Sequence, residues 1–396
     1  MDRQYLYDLA FQFKKDKIWK KLYDSELYAV RLDDGQIGYC CVLGRNGEVF
    51  ALTLYIGDKG FDSFRHLIVS NGEEEEDEDM PLQDCIQCSL EGRDELSGQE
   101  LEEVRAYAKE KGIALRGANA YPKFARFQPY CAPWLLKDEA EWRHIARALE
   151  ITNRLSEVLR HRSKFELGLQ SIFKFDESLP LLTEDGDGLR AERIPMPPKI
   201  APVYPEPALP DDMTLARLKK LKRQGTLECD IVRTPDLVQN DPEEPPYLPA
   251  QLLLVDQASG MVFGTAISNG PMVDCDEFQN ALVDMLAKSD ACPVAIQVRN
   301  AQTRQLVKGL CASLNIRMTM VEELPELDDA LDTLYDQLSD GKGDPSEFSD
   351  QIDEVIATLS ALSDEELRHL PPFLRQQLLS LDEWGMLPED LARRLR

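Results

Sequence analysis

The first part of the chain alternates apolar and polar residues in short runs, which is the pattern of half-buried β-strands. Three such runs, at residues 27–32, 36–43 and 48–56, are separated by Asp-Gly and Asn-Gly turns, and a fourth lies at residues 83–91. Apolar residues at helical spacing surround these runs, and the predicted helices are residues 1–23, 57–70, 98–111 and 138–162. The pattern predicts an α+β N-terminal domain over residues 1–175, in which helices cover an antiparallel meander.

A proline-rich stretch follows, and it is predicted to separate two domains. Prolines cluster over residues 180–210, and Asp185-Gly-Asp-Gly188 adds a flexible turn. Residues 211–224 then show the pattern of a short helix that ends at Gly225. Residues 176–225 are therefore predicted to be a linker that ends in a short basic helix.

The second half of the chain alternates apolar, strand-like runs with helical stretches. A strand is predicted at residues 226–233, and from residue 251 onward the predicted order is β-β-α-β-α-β-α. This order implies a mixed, largely parallel sheet covered by helices, and hence an α/β C-terminal domain over residues 226–340. Residues 341–396 are rich in acids and leucines, and they are predicted to form a helical tail.

Composition and charge narrow the classes of function. The 396 residues include 72 acids and 45 bases, which gives a formal net charge of −27. Phosphate binding requires a basic surface, so a nucleic-acid partner is not expected. No apolar run reaches the ~20 residues that cross a bilayer, and residues 1–19 lack the pattern of a signal peptide. A cytoplasmic protein without a membrane partner is therefore expected, and the oligomeric state stays open.

Cysteines and histidines provide little material for metal or redox chemistry. Nine cysteines at irregular spacing do not indicate a disulfide framework in a chain of this type. Cys85 and Cys88 form a lone CxxC in a predicted strand, and the four histidines are scattered, so a zinc site lacks half of its ligands. The sequence also lacks the motifs of dinucleotide sites, P-loops, serine hydrolases and zinc proteases. These residues therefore predict neither a cofactor nor a metal site.

Several segments resemble a known pair of domains. The N-terminal segments are Gly35-Gln-Ile-Gly-Tyr, Leu54-Tyr-Ile-Gly-Asp-Lys-Gly and Cys85-Ile-Gln-Cys-Ser. The C-terminal segments are Pro249-Ala-Gln-Leu-Leu-Leu-Val-Asp-Gln-Ala-Ser-Gly and Leu324-Pro-Glu-Leu-Asp-Asp-Ala. Together they resemble a family of uncharacterised bacterial proteins with paired N-terminal and C-terminal domains of unknown function. The resemblance covers most of residues 1–335, implies a cytoplasmic bacterial protein, and brings no catalytic residues with it.

The order of elements in the C-terminal domain is also similar to the ribonuclease H-like core of nucleases and transposases. In that family, acids on the first strand, at the end of a later strand and near the last helix hold two divalent metals. The corresponding candidates are Asp256, Asn300 and one of Glu322, Glu323 and Asp328, with Mg²⁺ or Mn²⁺ as the cofactor. Because Asn300 places an amide where the family has a carboxylate, a non-catalytic form of this core is favoured. Asp256 also suits an ordinary hairpin turn.

Three further segments are candidates for binding. Five bases on the predicted helix at residues 211–224 either contact phosphate or offset acidic neighbours; they are Arg217, Lys219, Lys220, Lys222 and Arg223. Five aromatic residues lie in a stretch predicted to be irregular, which either lines a groove or packs over a sheet edge; they are Tyr121, Phe124, Phe127, Tyr130 and Trp134. The acidic run at residues 73–79 is predicted to be a solvated loop.

These observations leave three hypotheses about function. The favoured hypothesis is a two-domain protein without catalytic activity that binds an unidentified protein partner. The first alternative is a divalent-metal-dependent phosphodiesterase or nuclease on a degenerate ribonuclease H-like core. The second alternative is a nucleic-acid-associated protein that binds through the basic segment at residues 217–223.

Overall fold

A computed structural model describes residues 3–70, 82–172, 177–186, 188–269, 271–289 and 291–340. The acidic run at residues 73–79 and the predicted tail at residues 341–396 lie outside the described residues. The chain packs as two compact units. The first comprises residues 1–205, 232–251 and 267–274, and the second comprises residues 206–231, 252–266 and 275–396.

The N-terminal domain is built on one eight-stranded sheet. Its helices and strands, in chain order, are α1 (Arg3–Asp16), β1 (Tyr28–Arg31), β2 (Ile37–Leu43), β3 (Ala51–Ile56), α2 (Gly57–Ser70), β4 (Cys85–Glu91), α3 (Gly98–Glu110), β5 (Tyr121–Phe127), β6 (Trp134–Leu135), α4 (Glu139–Val158), β7 (Ser178–Asp185) and β8 (Gly188–Pro195). The strand order is β6-β5-β4-β3-β2-β1-β7-β8. All neighbours are antiparallel except β1 and β7, which pair in parallel. The first four strands confirm the predicted antiparallel meander.

Both faces of this sheet are buried. Successive side chains of a strand point to opposite sides, so one strand contributes residues to two separate cores. Tyr28 and Val30 of β1 belong to a core that includes apolar residues of α1, α3 and α4. Leu27 and Ala29 belong to a second core that includes Phe61 of α2. The helices therefore cover the sheet on two sides, as expected for an α+β domain with mostly apolar strands.

Helix α4 begins where the sequence predicts, and buried polar contacts fix it. The carboxylate of Asp138 accepts a hydrogen bond from the backbone N–H of Ala140 at 2.9 Å, which caps the first turn. Further along the helix, the hydroxyls of Thr152 and Tyr28 lie 2.6 Å apart, and both residues are fully buried. This bond ties the middle of α4 to β1 inside the core.

Two N-terminal segments differ from the prediction. Residues 121–127 are not irregular but form β5, and each of them pairs with a residue of β4. Residues 178–195, predicted to be part of the linker, form the β7–β8 hairpin that extends the sheet beside β1. Pro180 is tolerated because β7 pairs with β1 only at Leu181 and Leu182, and Pro195 is tolerated because β8 is an edge strand of the sheet. The predicted linker at residues 176–225 therefore begins too early.

The C-terminal domain combines a five-stranded sheet with helices. Its elements, in chain order, are α5 (Asp212–Leu218), β9 (Lys222–Arg223), β10 (Thr226–Arg233), β11 (Ala250–Asp256), β12 (Val262–Ser268), α6 (Pro271–Lys288), β13 (Ala291–Cys292), β14 (Ala295–Val298), α7 (Ala301–Leu314), β15 (Arg317–Met320) and α8 (Pro325–Asp340). The strand order is β12-β11-β10-β14-β15, and β9 pairs separately with β13. Strands β10, β14 and β15 are parallel. A second region of sheet and helices is thus present, as the sequence predicts.

Strand β10 lies in the middle of this sheet, between β11 and β14. Apolar residues of β11 and of α6, such as Leu253, Phe278 and Leu282, are buried. The middle strand is different, since Glu228 and Asp230 are buried in it as well. No helix within the described ranges has the length and apolar character needed to cross a membrane.

Candidate functional site

Polar side chains collect at the carboxyl end of β14, beside the strand β10 with which it pairs in parallel. Asp230 lies on β10, and Arg299 and Asn300 directly follow β14. The pairing of Glu228 with Gln297 brings these positions to the same edge of the sheet. In sheets of parallel strands this carboxyl edge is where ligand sites are found. We call the group formed by Asp230, Arg299, Asn300, Thr303 and Asp328 the strand-end cluster.

Asp230 is the centre of the strand-end cluster. Its carboxylate accepts hydrogen bonds from Arg299 Nε at 2.5 Å, from Asn300 Nδ2 at 2.6 Å and from Thr303 Oγ1 at 2.7 Å. The backbone N–H of Ile231 donates to the same carboxylate at 2.8 Å. A buried carboxylate with this many donors is satisfied inside the protein.

Arg299 joins Asp230 to a second acid. Its Nη1 donates to the carboxylate of Asp328 at 2.6 Å, while its Nε contacts Asp230. The side chain of Asp230 is 2% exposed, whereas that of Asp328 is 42% exposed. One guanidinium therefore bridges two carboxylates that lie far apart in the sequence.

The carboxyl edge also holds the first turns of two helices. Asn300 caps α7, because its Oδ1 accepts from the backbone N–H of Thr303 at 2.8 Å. Glu228 Oε2 accepts from the backbone N–H of Leu327, in the first turn of α8, at 2.8 Å. Both helices thus begin against polar side chains of the sheet or of the loop that follows it.

Glu228 is the least well satisfied of these groups. It is fully buried, and its Oε1 has no hydrogen-bond partner among the described residues. Burial raises the pKa of this carboxyl above its usual value, and the neighbouring acids Glu326 and Asp328 add to the increase. Hydrogen bonding at the start of α8 acts in the opposite direction. The protonated form of Glu228 is therefore favoured by its surroundings.

The structure unites only part of the metal site predicted from the sequence. Asn300 and Asp328 belong to the strand-end cluster, but Asp256 does not share a hydrogen bond with any member of it among the described residues. Its carboxylate instead accepts from Ser259 Oγ at 2.7 Å and from Ser259 N at 3.1 Å, which is ordinary turn chemistry. Glu322 and Glu323 are exposed in the loop before α8. The placement of Asp256 as the first metal-binding acid is therefore not supported by its contacts.

Sequence reasoning missed Asp230, Glu228 and Arg299. A signal was available, since two acids at alternating positions of an apolar strand point to the same face of a sheet. Acids in such a strand are buried only when they have partners. No group of three or more His, Cys, Asp or Glu residues that could hold a metal ion occurs in the part of the chain that the structure describes.

The basic segment does not form the predicted helical face. Helix α5 ends at Leu218, with Lys219 as its C-cap, so the helix predicted for residues 211–224 is shorter than expected. Lys222 and Arg223 form the short strand β9 beside β13. Arg223 donates to the backbone carbonyl of Leu314, which holds it against its own domain. Of the five candidates, Arg217, Lys219, Lys220, Lys222 and Arg223, only Arg217 lies within the helix.

The five candidate aromatic residues do not share a groove. Tyr121 and Phe124 belong to the core beneath α1, α3 and α4, whereas Phe127 packs against the core on the other face of the sheet. The guanidinium of Arg233 lies 3.7 Å from the ring centroid of Tyr130. Trp134 is on β6. Phe124 and Phe127 are an odd number of residues apart on β5, so strand alternation turns them to opposite faces of the sheet.

Phe124 does contribute to a pocket of the N-terminal domain. The pocket has a volume of about 240 Å³, and Tyr7, Phe124 and Trp142 are among the residues that line it. Arg3 lies 5.1 Å from the ring centroid of Trp142 and forms a 2.6 Å ion pair with Glu103 at the same pocket. This volume is below the ~300 Å³ at which the usual range of ligand pockets begins.

The protein has two domains, and at the carboxyl edge of its C-terminal sheet Arg299 bridges Asp230 and Asp328. Residues 4–172 match a domain of unknown function (DUF7309), and residues 214–335 match another domain of unknown function (DUF6930). The chain thus matches both domains of unknown function, which confirms the pairing expected from the sequence. No curated protein matches the chain.

One solved structure that matches is the cryoEM structure of the simian T-cell lymphotropic virus intasome in complex with PP2A regulatory subunit B56 gamma. The match has 19% identity and a TM-score of 0.23, and it covers 36% of this chain and 48% of that chain. The chain therefore spans about half the length of the chain that it matches. A match with that TM-score does not establish a shared fold.

Proposed function

We propose that this protein is a binding protein without catalytic activity, and that its C-terminal domain is a ribonuclease H-like core in which Arg299 takes the place of the metal. The observation that carries the proposal is the bridge from Arg299 to Asp230 and Asp328. A partner protein is the ligand class that we infer for the whole chain.

The strand order supports the fold part of the proposal. Three consecutive strands, β10, β11 and β12, lie side by side, and β14 and β15 follow on the other side of β10. Each of β12, β14 and β15 is followed by a helix, whereas the short strand β13 is followed by β14. Helix–strand alternation of this kind is typical of the ribonuclease H-like core that the C-terminal sequence resembles. When the strands are matched to that core in this order, the first strand is β10. Asp256 lies on the next strand, β11.

With β10 as the first strand, the three acid positions of the resemblance fall on the strand-end cluster. Asp230 lies on the first strand, Asn300 follows a later strand, and Asp328 lies in the first turn of the last helix. Two of the three positions keep a carboxylate. The third is an amide, which brings no negative charge to a divalent cation.

The contacts of Arg299 explain why catalysis is not expected. A pair of divalent metals requires carboxylate oxygens that are open to the ions. Here the oxygens of Asp230 accept from Arg299, Asn300 and Thr303, and an oxygen of Asp328 accepts from Arg299. A metal ion would have to displace the guanidinium and leave a cation without its counter-ions. The domain then retains a folded surface for binding and lacks open ligands for a reaction.

The experiment is a Mn²⁺ titration followed by thermal unfolding. We expect no shift of the midpoint for the wild type, and none for Asp256→Asn. Arg299→Ser combined with Asn300→Asp removes the guanidinium and supplies the missing carboxylate, so this variant should bind Mn²⁺. Binding at ~100 times Kd stabilises by ~2.7 kcal/mol, which raises the midpoint by several degrees. Calorimetric titration of the folded proteins provides a second readout.

Two outcomes would contradict the proposal. A Mn²⁺-dependent shift in the wild type would support the metal-dependent phosphodiesterase or nuclease instead, and assays on nucleic acid would follow. A double variant that folds and still does not bind Mn²⁺ would show that the strand-end cluster does not correspond to a metal position.

A further inference from the structure

The N-terminal domain carries a basic and aromatic surface in a chain whose net charge is −27. Five bases and two aromatic residues form it, and we call it the basic patch; its members are Lys20, Lys21, Tyr23, Arg45, Arg160, Lys164 and Phe165. They come from the turn after α1, the loop after β2 and the segment that follows α4, in which Lys164 and Phe165 begin a short 3-10 turn. These residues lie far apart in the sequence, so no sequence motif connects them.

Contacts connect the members of the basic patch. The guanidinium of Arg45 lies 4.0 Å from the ring centroid of Tyr23, and Lys164 Nζ lies 5.1 Å from the same ring. Arg45 also donates to the backbone carbonyl of Lys20 at 2.8 Å. Lys21 Nζ donates to the backbone carbonyl of Ser156 on α4 at 3.1 Å. These contacts connect Lys20, Tyr23, Arg45 and Lys164 directly, and they hold Lys21 against the backbone of α4.

The acids that accompany these bases lie beneath them. Arg160 pairs with Asp16 at 2.9 Å, and Lys164 pairs with Glu26 at 2.6 Å. The side chains of Asp16 and Glu26 are only 3% and 7% exposed, whereas that of Arg160 is 55% exposed. Two exposed acids border the patch, Asp24 beside Tyr23 and Glu166 beside Phe165, and Glu166 pairs with Arg162 at 3.5 Å. The outward face is positive.

Two features show that the patch is not an ordinary solvated surface. Phe165 is 67% exposed and Tyr23 is 46% exposed, so two large aromatic side chains face solvent among the bases. The bases are also crowded, since burial and then the nearby charge of Arg160 lower the pKa of Lys21. An anionic ligand would relieve this repulsion and cover apolar surface at the same time.

We propose that the basic patch binds an acidic segment of a partner protein, rich in Asp and Glu and carrying apolar side chains. This inference rests on the proposed binding function, for which it names the class of partner. Carboxylates suit the patch, because Arg160 and Lys164 already pair with carboxylates. The apolar side chains of the segment would contact Phe165 and the exposed part of Tyr23.

A single-stranded nucleic acid fits less well. Bases stack on free aromatic faces, but Arg45 already lies over the ring of Tyr23 and Lys164 contacts it. A long polyphosphate also carries charge beyond the patch, where it meets a chain with a net charge of −27. A short acidic segment confines its charge to the patch.

The test uses a fluorescein-labelled peptide of twelve residues, ten Asp or Glu and two Leu, and follows its anisotropy on titration with the full chain. We expect binding at low salt that weakens as NaCl is added. Lys20→Glu combined with Arg45→Glu should weaken binding at least tenfold, and Phe165→Ala should weaken it several-fold. The matched control is Lys59→Glu combined with Arg105→Glu, which makes the same charge change at exposed positions of α2 and α3 and should leave binding within about twofold.

Several results would overturn the inference. Equal weakening by the patch variant and by the control would show that only net charge matters. Tighter, patch-dependent binding of a dT12 oligonucleotide would assign the surface to nucleic acid. A salt-sensitive dimer in sedimentation that the patch variant dissociates would make a second copy of the chain the occupant. The absence of peptide binding would also reject the inference, while the Mn²⁺ titration of Arg299 variants would still decide the proposed function.

Discussion

The two sheets of this protein position their helices by different means. In the N-terminal domain, β1 turns Tyr28 and Val30 to one core and Leu27 and Ala29 to the other, so helices pack mainly on apolar side chains. In the C-terminal domain, the middle strand buries Glu228 and Asp230, and these acids contact the first turns of α7 and α8. Apolar packing is tolerant of small changes, whereas a buried charge depends on a few specific partners.

The largest expected effect comes from removing the cation of the strand-end cluster. Arg299→Met leaves the buried carboxylate of Asp230 without its counter-ion, which should destabilise the C-terminal domain by about 3 kcal/mol. Urea unfolding, with hydrogen exchange to resolve the two domains, measures the change. Arg147→Met is the control, since Arg147 pairs with partly exposed Glu150 and Glu184 in the N-terminal domain and should cost at most about 1 kcal/mol. Equal losses in the two domains would contradict the comparison.

A neutral bond in the N-terminal core should matter less. Thr152→Val removes the oxygen partner of the fully buried Tyr28 hydroxyl and leaves it only the Cys40 thiol, a weak partner, which should cost about 1 to 2 kcal/mol. Combining this change with Tyr28→Phe removes both polar groups and should recover much of that loss, because nothing is left unpaired. The double-mutant cycle is measured by urea unfolding of the four proteins. No recovery in the double variant would show that shape, not hydrogen bonding, decides this contact.

The pH dependence of the C-terminal domain should depend on Glu228. Burial raises the pKa of this carboxyl in the folded state, so its favourable contribution is complete below the unfolded pKa of ~4.3 and is lost as the pH rises through the raised value. Glu228→Gln keeps an acceptor for the N–H of Leu327 and cannot ionise. As the pH rises, the wild type should therefore lose stability relative to this variant. Unfolding between pH 4 and 7 measures this difference. Glu326→Gln, which alters a neighbouring acid, should retain most of the wild-type slope; identical slopes for Glu228→Gln and the wild type would reject the assignment.

The smallest effect is expected at the hairpin turn. Asp256→Asn keeps the oxygen that accepts from Ser259, and the turn is partly exposed, so the change should cost about 0.5 kcal/mol or less. Thermal unfolding measures it. A loss as large as that of Arg299→Met would mean that Asp256 takes part in a buried network and that the strand-end cluster is wider than its contacts indicate.

Local patterns made part of the fold predictable. The alternation of β1 to β4, their Asp-Gly and Asn-Gly turns, and the Asp138 cap of α4 all involve residues close in sequence. The β7–β8 hairpin was missed because its prolines resemble a linker, while its place in the sheet depends on Leu181 pairing with Ala29. Strand β5 is not predicted either, because Pro122 and the closely spaced aromatic residues are typical of a loop. Its pairing with β4 makes it a strand all the same.

The sequence also indicates two of the five members of the strand-end cluster. Asn300 and Asp328 follow from their positions after a strand and near the last helix. Asp230 does not, because the predicted ribonuclease H-like order starts at the strand of Asp256 and not at residues 226–233. Glu322 and Glu323 were equally good candidates by sequence, and their exposure separates them from Asp328. Which acid faces the cluster depends on the strand order, and that order is a property of the whole sheet.

Hydrophobic periodicity and turn residues are local features, so the chain's sequence is enough to predict the types of most strands and helices and the division into two domains. Segment similarity is likewise enough to indicate the pair of domains of unknown function. Only the tertiary structure decided that Arg299 would reach Asp230, 69 residues away, and Asp328, 29 residues away. It likewise gathered the basic patch from three separate elements. Charge interactions act over a few ångströms in space, so their partners are set by packing and not by distance along the chain.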